Sequence, residues 1–221
     1  MKPLIIILSM LFIFSSQEGS LRWDYNKSNW TQLMKAIYFN NTRKYKKLIL
    51  KKKDINLIVY DKNRGTEITA LDIAIRKQNV LATKLLIDSK LINNLDESLI
   101  LASQYESVEI VKNLLENGAN PNYLKNNFYS TILAAITGSD SVLQEILNHS
   151  NKNINLQRKG VTPLMRASSL LDLNKVKILL SYGADKYLKD NKGKTAYDYI
   201  NYHIQIINND DIIIQLKELL Q

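Results

Sequence analysis

Apolar residues recur at helical spacing along this chain and stop at clear breaks. Residues 108–122, VEIVKNLLENGANPN, show the pattern best, because four apolar side chains fall on one helical face. These residues are Val108, Val111, Leu114 and Leu115. The stripe ends at Asn117 and Gly118, and Pro121 follows. A glycine at this position takes the left-handed conformation that ends many helices, so the stretch predicts an amphipathic helix with a sharp stop.

The same organisation recurs along the chain. A short T-x-L-x-x-A pattern, exact or with substitutions, opens each occurrence, and the starts fall near residues 31, 69, 97, 130, 162 and 195. A second helical stripe follows each pattern and ends in two adjacent aliphatic residues. A recurrence of about 33 residues predicts a repeat array. A single helix pair cannot bury its apolar face alone, so we expect the units to stack.

The residues at the ends of the predicted helices fit this interpretation. A threonine opens the first helix of several units, where its hydroxyl can accept a hydrogen bond from a free backbone N–H group. Pro163 follows one of these threonines, at a helix position that tolerates proline. Gly118 and Gly183 follow second helices, where a left-handed residue is needed.

Two stretches, residues 98–122 and 162–185, resemble ankyrin repeats. They closely match the family pattern T-P-L-H-x-A followed by V-x-x-L-L-x-x-G-A-D, and the other units match it in part, from about residue 30 to the C-terminus. The resemblance implies an all-α repeat solenoid of stacked helix-turn-helix units with short β-hairpin fingers between them. The motif histidine is absent from every unit, which puts its capping hydrogen bond in question. The residues in its place are Met34, Asp72, Ile100, Leu133, Met165 and Asp198.

Two units depart from the regular spacing. Only Lys90–Asp96 connects the second unit to the third, which is too short for a full finger, so we expect a gap in the finger row. In the last unit, Tyr202–Asp211 separates the two helices by more than a turn. We expect the final helix, Asp211–Gln221, to cap the array, with Asp210 or Asp211 at its N-terminus.

The first 20 residues have the order of a secretory signal peptide: a lysine, the apolar run Leu4–Phe14, and then small residues. The run is shorter than the roughly 20 residues that span a bilayer. We therefore expect residues 1–20 to be removed and the protein to be exported, secreted or periplasmic. An uncleaved N-terminal membrane anchor is the alternative. Residues 21–29 are interpreted as a lid over the repeat domain, which spans residues 30–221.

Composition limits the chemistry. The chain has 221 residues, no cysteine and two histidines, which excludes disulfides, thiolate catalysis and cysteine-based metal sites. No nucleophile elbow, phosphate-binding loop, dinucleotide fingerprint or zinc-binding helix motif occurs. We expect no catalytic residues, no metal site and no cofactor, and therefore no enzyme.

The formal net charge of +9 leaves two interpretations open. The lysines are either a solvating coat, typical of an Ile/Asn/Lys-rich chain from an AT-rich genome, or a surface for an acidic partner. The densest run, Lys44–Lys53, fits a solvated terminal repeat or contact with an anionic membrane surface. We expect no nucleic-acid partner, because nucleic acid favours aromatic residues interleaved with the cations and a basic stripe along the whole solenoid, and because export separates the protein from nucleic acid.

The predicted finger tips carry the candidate binding residues. Three of the four tips begin with tyrosine, and all contain lysine or arginine, and tyrosine and arginine are frequent at binding hot spots. Fingers are also where ankyrin repeats typically make contacts. The candidates are Tyr60, Lys62, Arg64, Tyr123, Lys125, Asn127, Gln157, Arg158, Tyr187 and Lys189.

The sequence thus favours a non-catalytic, monomeric scaffold that binds another protein through its fingers and concave helix face. Two alternatives stay open. One is a module that associates with an anionic lipid or glycan surface, and the other is a secreted effector that inhibits an enzyme.

Overall fold

The structure is a computed structural model that describes residues 29–61, 66–125, 129–130, 132, 136–200 and 210–221. Within these residues there are eleven helices with defined bounds and two short antiparallel sheets. The helices are α1 (Gln32–Tyr38), α2 (Thr42–Leu50), α3 (Ala70–Arg76), α4 (Val80–Asp88), α5 (Leu95–Ala102), α6 (Val108–Glu116), α7 (Asp140–His149), α8 (Pro163–Ser169), α9 (Leu173–Ser181), α10 (Ala196–Ile200) and α11 (Asp210–Leu220). The strands are β1 (Val59–Asp61), β2 (Thr66–Ile68), β3 (Leu124–Lys125) and β4 (Tyr129–Ser130).

The helices form two parallel rows. In the inner row, α1 packs on α3, α3 on α5, and α8 on α10, while Ile132 and Ile136 mark further helical positions between β4 and α7. In the outer row, α2, α4, α6, α7, α9 and α11 pack in succession. Each inner helix also packs on the outer helix that follows it. This arrangement confirms the predicted all-α repeat solenoid.

One continuous apolar core runs between the two rows. Every unit contributes buried aliphatic residues, such as Leu33 and Ile37 in α1 and Leu114 in α6, none of which has exposed surface. Burying one such side chain stabilises the fold by about 1.5–3 kcal/mol. The closing alanine of the T-x-L-x-x-A pattern is almost fully buried, because a larger side chain there would push neighbouring inner helices apart. These alanines are Ala36, Ala74, Ala102 and Ala167.

Threonine caps α1, α3 and α8 as predicted, whereas α5 begins after Asn94 without a side-chain cap. The hydroxyls of Thr31, Thr69 and Thr162 each accept a hydrogen bond from the backbone N–H three residues later, at 3.1, 3.1 and 3.2 Å. In two units an aspartate supplies the capping hydrogen bonds that the missing motif histidine left in question. The Asp72 carboxylate accepts from both the N–H and the hydroxyl of Thr69, each at 2.8 Å, and Asp198 does the same for Thr195.

The second residue after an outer helix adopts a left-handed conformation in units without a glycine there as well. Gly118 and Gly183 adopt it with φ of 96° and 90°, as predicted. In the first two units, Lys52 and Lys90 take the same conformation, with φ of 54° and 59°. A side chain in this region costs roughly 1–2 kcal/mol. Stacking of the flanking helices must therefore hold these two lysines in place.

The two irregular units follow from their spacing. Residues 89–94, between α4 and α5, contain no strand, so the expected gap in the finger row is present. Helix α5 begins at Leu95, two residues before the start of its repeat pattern, so Glu97 lies within its first turn rather than at its cap. Helix α11 begins at Asp210, so Asp210 and Asp211 are its first two residues.

At the N-terminal end, Trp30 is 5% exposed and packs edge-on against Tyr38, with ring centroids 5.2 Å apart. Trp30 therefore closes the core of the first unit. The predicted signal peptide and nearly all of the predicted lid, residues 1–28, lie outside the described residues.

The Asp72 cap generates a prediction about pH. Burial raises the pKa of Asp72 above its usual value, and the hydrogen bonds from Thr69 oppose that shift only in part. A raised folded-state pKa means that stability falls as pH rises from the unfolded value, about 3.9, through the folded one. Asparagine keeps an acceptor oxygen but carries no charge. We expect the free energy of unfolding of Asp72→Asn, relative to the native chain, to increase as pH rises over that window.

Urea unfolding at a series of pH values from 4 to 7, followed by circular dichroism, measures this difference. A difference that stays constant, or one that grows as pH falls, contradicts the assignment.

Candidate protein-binding surface

The fingers lead directly into the inner helices. We use the term first finger for residues 59–68, second for 123–130, third for 156–161 and fourth for 187–194. In the first, β2 ends at Ile68, Thr69 is the helix cap, and α3 begins at Ala70. The third and fourth fingers reach α8 and α10 through a single threonine in the same way. The capping threonines therefore set the angle at which each of these fingers leaves the helix layer.

The first finger is a regular antiparallel hairpin with an inward and an outward face. Val59 pairs with Ile68, and both are buried against the core. Tyr60 pairs with Glu67, and its side chain is 56% exposed. Tyr60 therefore lies on the solvent face of this finger. The other two candidates of this finger, Lys62 and Arg64, lie outside the described residues.

The second finger pairs Leu124 with Ser130 and Lys125 with Tyr129. Tyr123 precedes β3 and is half-buried, and its backbone N–H donates to the Asn120 carbonyl at 3.1 Å. The structure describes only the backbone of Lys125, and Asn127 lies outside the described residues.

The third finger is a two-residue turn. Arg158 and Val161 exchange two backbone hydrogen bonds of 2.9 and 3.0 Å. The residues between them, Lys159 and Gly160, both have positive φ, of 51° and 83°, which is the requirement of the tight type I′ hairpin turn. Arg158 is half-buried and Gln157 is exposed.

Asp190 organises the fourth finger. One carboxylate oxygen accepts from the backbone N–H groups of Lys192 and Lys194, both at 2.8 Å, and the other accepts from the Tyr199 hydroxyl at 2.9 Å. The hydrogen bond from the Lys194 backbone is the main cause that lowers the pKa of Asp190. Burial, with the same Asp190 contact, raises the pKa of the Tyr199 hydroxyl. The finger is thus tied to α10, which contains Tyr199.

The last two fingers touch one another. The Gln157 amide donates to the Lys189 carbonyl at 2.9 Å. A Cβ atom built on Gly160 would lie 2.7 Å from the Asn191 side-chain oxygen and 2.9 Å from the Asn191 backbone nitrogen. The structure therefore brings the candidates Gln157, Arg158 and Lys189 together, although it uses the Gln157 amide within the chain.

Tyr187 stands at the base of the fourth finger. Its side chain is 68% exposed, and the Lys186 ammonium lies 5.3 Å from its ring centroid. Its backbone N–H donates to the Asp185 carboxylate at 2.9 Å. Tyr187 and Tyr60 are the exposed aromatic residues among the described candidates. An aromatic ring presented on a fixed backbone loses little conformational freedom on binding.

Side-chain amides and carboxylates fix the spacing between neighbouring units. Asp96 accepts from the Asn120 N–H at 2.7 Å, and Asn155 accepts from the Asp185 N–H at 2.8 Å, one unit further along in each case. The Asn153 amide donates to the Asn122 carbonyl at 3.0 Å. An asparagine takes part in each of these three contacts. Together the contacts hold successive finger bases in register.

Sequence reasoning missed part of the surface. The residue before the final small position of T-x-L-x-x-A is half-buried in most described units, so part of its side chain reaches solvent on the inner row. These residues are Lys35, Leu101, Arg166 and Tyr199. Ile73 occupies the same position in α3 and is buried. The pattern itself contains the signal, because this is one of its three variable positions.

The opposite end of the first two helix pairs has a shallow, open groove of about 520 Å³. It lies between the two helix-helix turns and includes Tyr38, Phe39 and Lys77. The Lys77 ammonium is 5.0 Å from the Tyr38 ring centroid. Among the residues that the structure describes, no three acidic, histidine or cysteine side chains are grouped as a metal site requires. None of the helices in that part of the chain is long and apolar enough to cross a bilayer.

Comparison with known proteins agrees with this architecture. The chain matches the family described as ankyrin repeats (3 copies) over residues 33–125, 99–190 and 131–208. It is 32% identical over 120 residues to an ankyrin repeat protein of Acanthamoeba polyphaga mimivirus, an alignment that covers 52% of this chain and 72% of the viral protein.

Among solved structures, the ankyrin repeat protein EF0377 superposes with a TM-score of 0.62 at 25% identity, covering 85% of this chain and 95% of the other. The chain belongs to the ankyrin repeat family. Ankyrin repeats are generally modules of protein–protein interaction, and the family is typically non-catalytic.

The contact between the last two fingers gives a prediction about stability. Gly160 and Gly183 both have positive φ, but only at Gly160 do other atoms lie within 4 Å of the position that a Cβ would take. We expect Gly183→Ala to cost about 1–2 kcal/mol from backbone strain alone. We expect Gly160→Ala to cost about 3–4 kcal/mol, because the clash with Asn191 adds to that strain.

Chemical denaturation of both variants measures the two costs. Equal losses of stability would mean that the third and fourth fingers do not touch as described.

Proposed function

We propose that this chain is an exported, monomeric and non-catalytic scaffold that binds a partner protein through its fingers and the open side of its inner helices. The observation that carries the proposal is the exposure of Tyr60 and Tyr187 on backbones that internal hydrogen bonds and helix packing already hold in place. The export part of the proposal rests on the order of residues in the first 20 positions.

Preorganisation is the physical reason for this choice. Association must overcome the lost freedom of both partners and of every side chain that becomes ordered. Here Asp190 fixes the fourth finger, the Gln157 amide links it to the third, and the threonine caps fix the finger angles. A partner therefore meets a surface whose backbone needs little further ordering.

The gap in the finger row can also make binding selective. Residues 89–94 contain no strand, so a connector without a finger lies between the first finger and the second. A partner that contacts both must bridge that gap. The half-buried Lys35, Leu101 and Arg166 lie along the inner row, where a bridging segment would run. The partner is therefore expected to be a folded protein with a protruding element rather than a short peptide.

Affinity capture from the compartment in which the protein occurs, with the full chain as bait, tests the proposal. We expect one stoichiometric protein to co-purify, and either Tyr60→Ala or Tyr187→Ala to weaken its binding by at least about tenfold, as the loss of an aromatic hot spot does. Leu81→Ala is the matched control, because Leu81 is 42% exposed but lies on α4 of the outer row.

If Leu81→Ala weakens binding as much as the tyrosine variants do, the finger surface is not the interface. If nothing co-purifies, the scaffold proposal is wrong. A captured enzyme whose activity falls on binding would identify the protein as an inhibitor.

A further inference from the structure

The outward face of the first unit is unlike the rest of the molecule. Helix α2 buries Tyr45, Leu48 and Ile49 against the core and turns its remaining side chains to solvent. We use the term basic face for the exposed lysines of this helix and of the turn that follows it. They are Lys44, Lys46, Lys47, Lys51, Lys52 and Lys53.

Little acidic charge offsets these lysines along the chain, since the nearest carboxylate in sequence, Asp54, comes after all six of them. The sequence contains no Asp or Glu from Tyr25 to Lys53. Within the part of the chain that the structure describes, none of the six lysines takes part in an ion pair. Two described lysines elsewhere do form ion pairs, Lys112 with Glu116 and Lys175 with Asp172, the second at 2.8 Å. The basic face is therefore a local concentration of positive charge.

Exposed aliphatic side chains lie within the same face. Leu50 is 83% exposed, and on helix α2 it follows Lys46 by four residues and Lys47 by three, so all three share one stripe. Leu57 and Ile58, just beyond the turn, are 50% and 55% exposed. Leu50 is almost unpacked, and Leu57 and Ile58 each leave at least half of their surface in solvent, although the core lies only a few residues away.

The turn that presents them is held in place. Lys52 and Asp54 have φ of 54° and 60°, which reverse the chain after α2. The Asn56 amide donates to the Leu91 carbonyl of the next unit. Leu50 and the pair Leu57 and Ile58 are thus presented by a short, anchored segment with lysines between them.

We propose that the basic face docks on an anionic lipid surface, with the lysines at the headgroups and Leu50, Leu57 and Ile58 inserted at the acyl boundary. Lysines attract a peripheral protein to anionic lipid, and neighbouring aliphatic side chains add apolar burial that headgroups alone do not offer. A single-stranded nucleic acid is disfavoured because its bases stack on exposed rings, and the one ring of helix α2, Tyr45, is 1% exposed.

This inference goes beyond protein binding through the fingers. The basic face belongs to the outer row and to the turn after it, whereas the proposed interface lies on the fingers and inner helices. Docking there would leave Tyr187 and the inner row free for a partner.

A single reporter group tests insertion directly. Because the chain has no cysteine, Leu50→Cys in the full chain takes one environment-sensitive dye at one site. Ile214→Cys is the matched control, since Ile214 is 52% exposed on α11 of the outer row at the other end of the array. The probes are phosphatidylcholine vesicles with and without phosphatidylserine.

We expect the emission of the dye at position 50 to shift to the blue with anionic vesicles only, and to return in 1 M salt, where the Debye length falls to about 3 Å. The dye at position 214 should not respond. The apolar residues Leu4–Phe14 are present in both variants, so any affinity that they have for lipid cancels in the comparison. Equal responses at the two positions, a response to neutral vesicles, or no response overturns the proposal.

Charge removal gives a second readout. Each lysine near an anionic surface contributes about fivefold in affinity, so Lys46→Gln, Lys47→Gln and Lys51→Gln together should weaken anionic-vesicle binding by about a hundredfold. Removing the exposed Lys84, Lys152 and Lys177 in the same way lowers the net charge equally and should have only a small effect. Equal losses in the two triple variants contradict a local site.

Two further results separate this inference from the proposed function. Tyr187→Ala should leave vesicle binding unchanged, even where it abolishes partner capture. A dye at position 50 that responds to an oligonucleotide but not to vesicles would show that the face binds nucleic acid and would overturn the lipid assignment.

Discussion

The stacking of one helix pair on the next is the interaction on which the rest of this molecule depends. No pair has enough apolar surface to form a core by itself, and helices such as α6 bury their stripe only between two neighbours. The buried alanines of the inner row set how closely neighbours approach. Stacking also holds Lys52 and Lys90 in a conformation that glycine occupies in other units.

The packing of the helices also sets the geometry of the fingers. Each described link from a finger to an inner helix is one threonine, and where the family has histidine, Asp72 and Asp198 complete the cap. The cap therefore fixes the finger as well as the helix. Asp190 and Gln157 then join the last two fingers into one unit, so the candidate surface is rigid because the helix layer beneath it is rigid.

Local patterns predicted the helices well, because their spacing, threonines and glycines are short-range signals. The stop at Gly118 and the empty finger place at residues 89–94 could both be read from the sequence. The carboxylate caps at Asp72 and Asp198 are also local, because each joins residues only three apart, and the sequence analysis did not use that signal. The contact between Gly160 and Asn191 could not be predicted, because it joins residues whose approach depends on the fold. The exposure of Leu50 could not be predicted either. Helical spacing does not show which face of α2 lies against the rest of the outer row.

The central claim is that a partner binds the fingers and the inner row. Hydrogen exchange of the full chain with and without its captured partner tests this most directly. The account predicts slower exchange at the first, third and fourth fingers and at the N-terminal turns of α3, α8 and α10, with little change in α4, α6 and α9. Protection concentrated in those outer helices, with the fingers unchanged, would contradict it.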